Sequence, residues 1–116
     1  LYTGDLKKMR ADIVGANFTD DETRMAIREI HETHSYHADP HGAIGFLGLK
    51  KYLLEHPGHR GIFFETAHPA KFLEIVEPIV GKTIHIPKRL AAYLNREKRA
   101  ISMPNDFETF RDFILP

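Results

Sequence analysis

One apolar stretch constrains the fold of this chain more than any other part of it. The run Gly61-Ile62-Phe63-Phe64-Glu65-Thr66 lies between the turn signals Pro57-Gly58 and Ala67-His68-Pro69 and has the pattern of a buried β-strand. A short, nearly continuous apolar strand is typical of a parallel sheet that helices cover on both faces. Because one strand cannot form a sheet, we expect the partner strands to come from outside these 116 residues.

Capping signals predict the two longest helices. Thr19-Asp20-Asp21-Glu22 is a capping box, in which the hydroxyl and the last carboxylate each accept a free backbone N–H. The helix that it starts runs to about Thr33, and three of its residues are predicted to face inward: Met25, Ala26 and Ile30. Asp39 at the N-cap and Pro40 at the first helical position start a second helix, which reaches about Glu55.

The helix after Pro40 is apolar around most of its circumference, which is typical of a helix packed on more than one side. It also carries Gly42, Gly45 and Gly48, and each glycine costs up to about 1 kcal/mol relative to alanine in a helix interior. We expect the close approach of another backbone, or of a ligand, along that face to compensate for this cost.

Shorter elements complete the prediction. A short first helix has Leu6 and Met9 on one face, and a later helix begins at Pro69 and ends at Pro78 and Gly81. Two further helices are predicted over residues 87–94 and 105–114. Residues 13–18 form a weak strand or an extended link, and residues 83–86 are extended. The predicted fold class is therefore α/β: a mostly helical piece with one to three strands, which completes a parallel sheet covered by helices in the full-length protein.

Composition excludes several classes of protein. Lys plus Arg and Asp plus Glu both number 16, so the formal net charge is zero and a polycation dedicated to nucleic acid or to an anionic membrane is excluded. The absence of cysteine excludes disulfides, thiolate metal sites and thiol catalysis, and fits a cytoplasmic location. The first residue is Leu1 and no signal-peptide pattern follows, so we expect a processed product or a piece of a longer protein.

Two clusters of side chains suggest alternative functions. His31, His34, His37 and His41 lie within eleven residues, and imidazole is the commonest metal ligand. No His-Glu-x-x-His motif is present, so we favour surface and capping histidines over a metal-binding module and predict no metal site.

The second cluster is the basic segment 82–99, in which Glu97 is the one acidic residue among six basic ones: Lys82, Lys88, Arg89, Arg96, Lys98 and Arg99. A nucleic-acid module usually interleaves aromatic residues with the charges, and here only Tyr93 is available. We therefore favour a solvated face, or one that covers other parts of a larger protein, over a basic docking face for RNA or an acidic protein.

The end of the predicted strand is the third candidate site. Ligands of parallel sheets lie outside the carboxyl ends of the strands, and helix N-termini favour anions and polar ligand atoms. The alternative is an ordinary strand-to-helix turn, in which Thr66 caps the helix and His68 is exposed. The spacing of the residues does not separate these two interpretations.

Two motifs, in this order, resemble the threonine synthase family: Asp39-Pro40-His41-Gly42-Ala43-Ile44-Gly45 and Glu65-Thr66-Ala67-His68-Pro69-Ala70-Lys71-Phe72. The acidic cap before Met25 and the segment Met103-Pro104-Asn105-Asp106 are also similar to that family. The resemblance covers nearly the whole chain but only about the last quarter of the family's length. Gly42 stands where the family usually has threonine.

The resemblance implies that residues 1–116 are a single C-terminal α/β segment of a fold type II pyridoxal-phosphate enzyme. The full-length enzyme, a lyase of threonine biosynthesis, would convert O-phospho-L-homoserine and water to L-threonine and phosphate. By the family pattern, the Thr66 hydroxyl hydrogen-bonds the pyridine nitrogen of the cofactor, and Ala67 and His68 lie close to the ring. No catalytic residue is assigned to this segment.

The resemblance also implies that essential parts lie upstream. The lysine that carries the cofactor belongs to a Ser-Phe-Lys-Asp motif, and a Gly/Asn-rich loop binds the cofactor phosphate; this chain contains neither. Lys71 matches a different lysine of the family, at the start of a helix. We therefore expect the isolated segment to be inactive, with the remainder of its own chain and the small substrate O-phosphohomoserine as its partners.

Overall fold

The computed structural model describes residues 1–94 and 96–115, and this part of the chain is mostly helical. Its elements are, in chain order, α1 (Leu6–Asp12), α2 (Asp20–His34), α3 (Pro40–Glu55), a 3₁₀ turn (Pro69–Lys71), α4 (Leu73–Val80), α5 (Lys88–Leu94) and α6 (Phe107–Ile114). The chain divides into two compact units, residues 1–86 and residues 87–116.

Helix α2 begins with the predicted capping box. The Thr19 hydroxyl accepts the Glu22 backbone N–H at 3.2 Å, and the Glu22 carboxylate accepts the Thr19 backbone N–H at 2.7 Å. The apolar stripe of the helix is Thr23, Ala26, Ile27 and Ile30, which are all buried and follow helical spacing. The inward placement of Ala26 and Ile30 is confirmed, whereas that of Met25 is wrong: this side chain lies off the stripe and is 63% exposed.

The core of the first unit lies where α2 packs against α3 and α4. Its fully buried apolar residues are mostly small, and they are Ala26, Ile27, Ile30, Ala38, Ala43, Ala70, Val76, Val80 and Ile84. Helix α3 begins at Pro40 behind the N-cap Asp39, as predicted, and Asp39 is itself completely buried. The start of α3 therefore places a carboxyl group inside the core.

The helix predicted from Pro69 is interrupted. Its first three residues form the 3₁₀ turn, and the backbone leaves helical geometry at Phe72 (φ −132°, ψ +40°) before α4 begins. Pro78 lies within α4 and does not end it, so that part of the prediction is wrong. The helix ends where Gly81 adopts a left-handed conformation (φ +65°), as helix C-termini commonly do.

No β-strand is present in the part of the chain that the structure describes, so the strand predicted at 61–66 is absent here. Residues 13–18, predicted as a weak strand or an extended link, and residues 83–86, predicted as extended, lie outside helices and strands. In this chain the segment 61–66 is not covered on both faces, because Ile62 and Phe64 are 84% and 79% exposed. Phe63 and Glu65, between and after them, are half-buried. A strand is defined by hydrogen bonds to a neighbouring strand, and residues 61–66 make no backbone–backbone hydrogen bond in the described structure.

The second unit contains α5 and α6. Asp106 caps α6 by accepting the Thr109 backbone N–H at 2.8 Å, which confirms the capping signal at its start. Three aromatic side chains of α6 remain 47–73% exposed, and they are Phe107, Phe110 and Phe113. None of the described helices combines the length and the apolar character that a membrane span requires.

Candidate functional site

The two motifs singled out in the sequence meet at the N-terminus of α3. Asp39 Oδ1 accepts the His41 backbone N–H at 2.8 Å and lies 2.8 Å from His41 Nδ1. Asp39 Oδ2 accepts the Ala67 backbone N–H at 3.2 Å, and Glu65 Oε1 accepts the Asp39 backbone N–H at 2.5 Å. Asp39 therefore joins the N-terminus of α3 to the segment that follows the apolar run.

The carboxyl groups of Asp39 and Glu65 form a pair that holds a proton near neutral pH. Burial, followed by the hydrogen bond and the negative charge of Asp39, raises the pKa of Glu65 to about 7 against the opposing effects of the Asp39 backbone N–H and of His41. Burial alone would also raise the pKa of Asp39, but hydrogen bonds from Glu65, His41 and Ala67 outweigh burial and lower it. Below about pH 7, Glu65 carries the proton and Asp39 the charge.

The glycines of α3 are approached from this same segment. The Glu65 carboxyl fills the space beside Gly42, and the Phe63 side chain would lie 3.7 Å from a β-carbon at Gly45. Nothing lies within 4 Å of that position at Gly48. The expected close approach of another backbone is therefore not seen among the nearest atoms at these glycines, and side chains lie beside two of them instead.

Thr66 and His68 differ in their roles at the turn. Thr66 is exposed, and no residue that the structure describes hydrogen-bonds its hydroxyl. His68 Nδ1 accepts the Ala70 backbone N–H at 3.1 Å and so caps the 3₁₀ turn. The interpretation in which Thr66 caps the turn is therefore wrong, while the exposure of His68 that it included is confirmed.

A cavity of about 490 Å³ lies beside the turn. Ala67 and His68 line it, together with Glu65, Tyr36, His37 and His85, whereas Thr66 does not. The exposed Thr66 side chain therefore lies outside this cavity, between two residues that line it. Burial and the charges of Glu65 and Asp39 raise the pKa of Tyr36, which keeps its hydroxyl protonated.

The four clustered histidines do not converge on one point. The rings of His31 and His37 are 4.8 Å apart, whereas His41 contacts Asp39 and His34 is exposed at the end of α2. Burial, followed by the charges of His31 and Lys82, lowers the pKa of His37. Within the described residues, no group of three or more His, Asp or Glu side chains is arranged to hold a metal ion.

The basic segment 82–99 is divided between the two units, with Lys82 in the first and the other five basic residues in the second. The guanidinium of Arg96 lies 4.3 Å from the centre of the Tyr93 ring. This cation–π contact occupies the single aromatic ring that the segment offers as a stacking platform.

Sequence reasoning missed the carboxyl pair. It identified Asp39 as a helix cap and Glu65 as part of an apolar run and of a family motif, but it did not connect the two residues. The available signal was the position of Glu65 itself, because a carboxyl group inside an otherwise apolar segment requires a hydrogen-bonding partner when it is buried.

The chain is similar to threonine synthases both in sequence and in three-dimensional structure. The family model described as "Threonine synthase, C-terminal" matches residues 42–114. The threonine synthase of Escherichia coli strain K12 is 38% identical over 96 residues, which are 83% of this chain and 22% of that protein. The threonine synthase of Serratia marcescens is 37% identical over 100 residues, which are 86% of this chain and 23% of that protein.

A solved structure shows the same similarity in three dimensions. The crystal structure of threonine synthase from Escherichia coli superposes with a TM-score of 0.76 at 34% identity, over 95% of this chain and 26% of that one. The chain thus spans about a quarter of the length of the relatives that it matches.

Proposed function

The chain belongs to the threonine synthase family, and from this we propose that it is the C-terminal part of an enzyme that converts O-phospho-L-homoserine and water to L-threonine and phosphate with pyridoxal 5′-phosphate. The remainder of its own chain would supply the lysine that carries the cofactor and the loop that binds the cofactor phosphate. A cytoplasmic location, where this amino acid would be made, belongs to the same proposal.

The main support for the proposal in this segment is the exposed and unpaired hydroxyl group of Thr66 among the described residues. Its side chain is exposed, its hydroxyl is not hydrogen-bonded by any described residue, and the residues on both sides of it contact Asp39. An uncommitted hydroxyl held in a fixed backbone is suited to hydrogen-bond a ring nitrogen. The residues present therefore fit the pyridine ring that the family resemblance implies, with Ala67 and His68 adjacent to it.

When bound, pyridoxal phosphate would supply an electron sink for carbanions at the α and β carbons of the substrate. The contribution of this chain would be to hold and tune the ring. The Thr66 hydroxyl can donate to a neutral ring nitrogen, whereas a carboxylate at the same position would favour the protonated ring. Ala67 and His68 would bound the ring by adjacency, and we assign them no proton transfer.

We also propose that residues 61–66 become a strand in the full-length protein. Their backbone makes no backbone–backbone hydrogen bond here, and Ile62 and Phe64 expose large apolar side chains on one side. Helices normally cover such an exposed apolar face of a parallel sheet, while neighbouring strands pair with its backbone. Upstream parts of the same polypeptide would supply the strands that pair with residues 61–66 and the helices that cover this face.

The substitution Thr66→Ala in the full-length protein tests the assignment. Loss of one hydrogen bond to the ring should weaken cofactor binding about tenfold, measured by titration of cofactor absorbance, and Thr66→Ser should restore it. Lys71→Ala, on the exposed end of the 3₁₀ turn, is the matched control and should leave binding unchanged. Wild-type affinity in Thr66→Ala would refute the role of Thr66.

The inactivity of the isolated segment follows from the same proposal. Residues 1–116 contain Lys71 but no lysine in a Ser-Phe-Lys-Asp motif. Borohydride reduction in the presence of pyridoxal phosphate should therefore trap no cofactor on Lys71, as read by peptide mass spectrometry, and no threonine should form. Stoichiometric labelling of Lys71 would contradict this.

A further inference from the structure

A single buried residue holds both neighbours of Thr66. The backbone N–H of Asp39 donates to the Glu65 carboxyl at 2.5 Å, and the Asp39 carboxylate accepts the Ala67 backbone N–H at 3.2 Å. Asp39 is completely buried and is itself fixed by its hydrogen bond to the His41 backbone N–H at the start of α3. No other described residue hydrogen-bonds both sides of this threonine.

We propose that Asp39 and Glu65 position Thr66, so that the hydroxyl of Thr66 meets the cofactor ring in a fixed direction. This inference rests on the proposed function, since it concerns the same threonine. Asp39 and Glu65 are positioning residues in it, because both act through Thr66.

The physical reason is the conformational entropy of the backbone around Thr66. Thr66 lies in a segment without strand or helix hydrogen bonds, so its backbone would otherwise sample many conformations. The hydrogen bonds of Asp39 to the Glu65 side chain and to the Ala67 backbone N–H restrict the backbone dihedral angles on both sides of Thr66. A hydroxyl that is already oriented loses less entropy when it binds a ligand, and therefore binds it more tightly.

The two carboxyl groups support each other in this arrangement. Glu65 Oε1 accepts the Asp39 backbone N–H, whereas Glu65 Oε2 is buried and has no hydrogen-bond partner among the described residues. The Asp39 carboxylate in turn also accepts N–H groups from His41 and Ala67. Removal of either carboxyl therefore frees one side of Thr66 and leaves a buried polar group unpaired.

The experiment measures the dissociation constant of pyridoxal 5′-phosphate in the full-length protein by titration of cofactor absorbance. Asp39→Asn is the main variant, because asparagine still caps a helix but would present its side-chain N–H₂ to the Ala67 N–H. We expect binding about tenfold weaker, with an unchanged circular dichroism spectrum. An unchanged dissociation constant would overturn the inference.

A double-mutant cycle with T66A tests whether Asp39 affects cofactor binding through Thr66 or only through the stability of the fold. If Asp39 acts through Thr66, then adding D39N to T66A should change the dissociation constant less than about twofold. An equal loss in both backgrounds would overturn the positioning role. A loss in T66A without one in D39N would refute this inference alone, whereas wild-type binding by T66A would refute the proposed function.

Glu65 provides a second route if D39N does not fold. Glu65→Gln keeps one acceptor and one donor near Asp39, so it should restore most of the affinity that Glu65→Ala loses. The loss in Glu65→Ala should again disappear in the T66A background. Equal affinities of Glu65→Gln and Glu65→Ala, both at the wild-type level, would show that this carboxyl does not position Thr66.

Discussion

The carboxyl group of Glu65 occupies the space in which a β-carbon at Gly42 would stand. An ideal β-carbon there would lie 2.6 Å from Glu65 Cδ and would overlap the carboxyl oxygen Oε2, which is buried. A side chain at the third residue of α3 would therefore require the Glu65 carboxyl to move from its present position beside Asp39. The same glycine that weakens the helix makes room for the carboxyl pair.

Gly42→Ala should consequently destabilise the protein although alanine is the better helix former. The added methyl group must displace the Glu65 carboxyl from its buried position, and overpacking of this kind costs about 1–3 kcal/mol. We expect a lower free energy of unfolding in urea, and a lower pKa of Glu65 as its carboxyl moves toward solvent.

Gly48→Ala is the matched control, because it lies in the same helix and no atom is within 4 Å of its β-carbon position. Here the higher helix propensity of alanine should stabilise the protein by up to about 1 kcal/mol. Equal effects of the two substitutions would show that Glu65 does not fill the space beside Gly42.

The carboxyl pair should give stability a recognisable pH dependence. The pKa of Glu65 is raised to about 7 in the folded protein from an ordinary value of 4.5, so the folded state binds the extra proton between these values. The free energy of unfolding contributed by Glu65 is therefore greatest below about pH 4.5 and falls as the pH rises to about 7. The lowered pKa of Asp39 acts in the opposite direction at acid pH, where its contribution is lost as the pH falls.

Glu65→Gln isolates this dependence, because glutamine cannot titrate. The other titratable groups that face the pair are Tyr36 and His41, and both are retained in the variant. The difference between wild type and variant in urea-unfolding free energy should therefore change between pH 4.5 and pH 7 and remain flat above it. A flat difference over the whole range would contradict a raised pKa at Glu65.

Most helices could be predicted from the sequence because their determinants are local. Capping residues such as Thr19, Asp39 and Asp106 act on backbone groups two or three positions away, so their effect can be inferred without tertiary information. The strand at 61–66 could not be predicted reliably in the same way. Apolar composition indicates that a segment will be covered, but the hydrogen bonds that define a strand depend on a neighbouring strand, and this chain provides none in its described residues.

The candidate site shows the same division between local and tertiary information. The motif around Thr66 could be singled out because a strand end before a helix is a local pattern. The contact between Asp39 and Ala67 joins residues 28 positions apart, and no spacing rule connects them. The raised pKa of Glu65 depends on its burial and on Asp39, 26 positions away, which is why the sequence alone did not reveal it.

The capping box of α2 provides a test of the local determinants. Thr19→Ala removes the hydroxyl that accepts the Glu22 N–H, and the loss of such a cap costs about 1 kcal/mol. Thr19→Ser keeps the hydroxyl and should stay within about 0.5 kcal/mol of wild type in urea unfolding. A Thr19→Ser variant as unstable as Thr19→Ala would show that the methyl group, and not the cap, matters at this position.

Adjacent aromatic residues test whether residues 61–66 carry one covered and one uncovered side. Phe63 is half-buried and its ring lies edge-on to that of Phe46, with centroids 5.8 Å apart, whereas Phe64 is 79% exposed. In the 116-residue chain, Phe63→Ala should therefore lower the free energy of unfolding by about 1–3 kcal/mol, and Phe64→Ala by less than about 0.5 kcal/mol.

In the full-length protein the order should change if upstream helices cover the exposed face of residues 61–66, as the faces of parallel sheets are covered. Phe64 would then be buried, and Phe64→Ala should cost about 3–5 kcal/mol, as a fully buried phenylalanine does. The contrast between the two chain lengths separates the proposed covering of this face from the fold of the segment, since only Phe64 should respond to the added residues. An equally small effect of Phe64→Ala at both lengths would show that no upstream element covers this face.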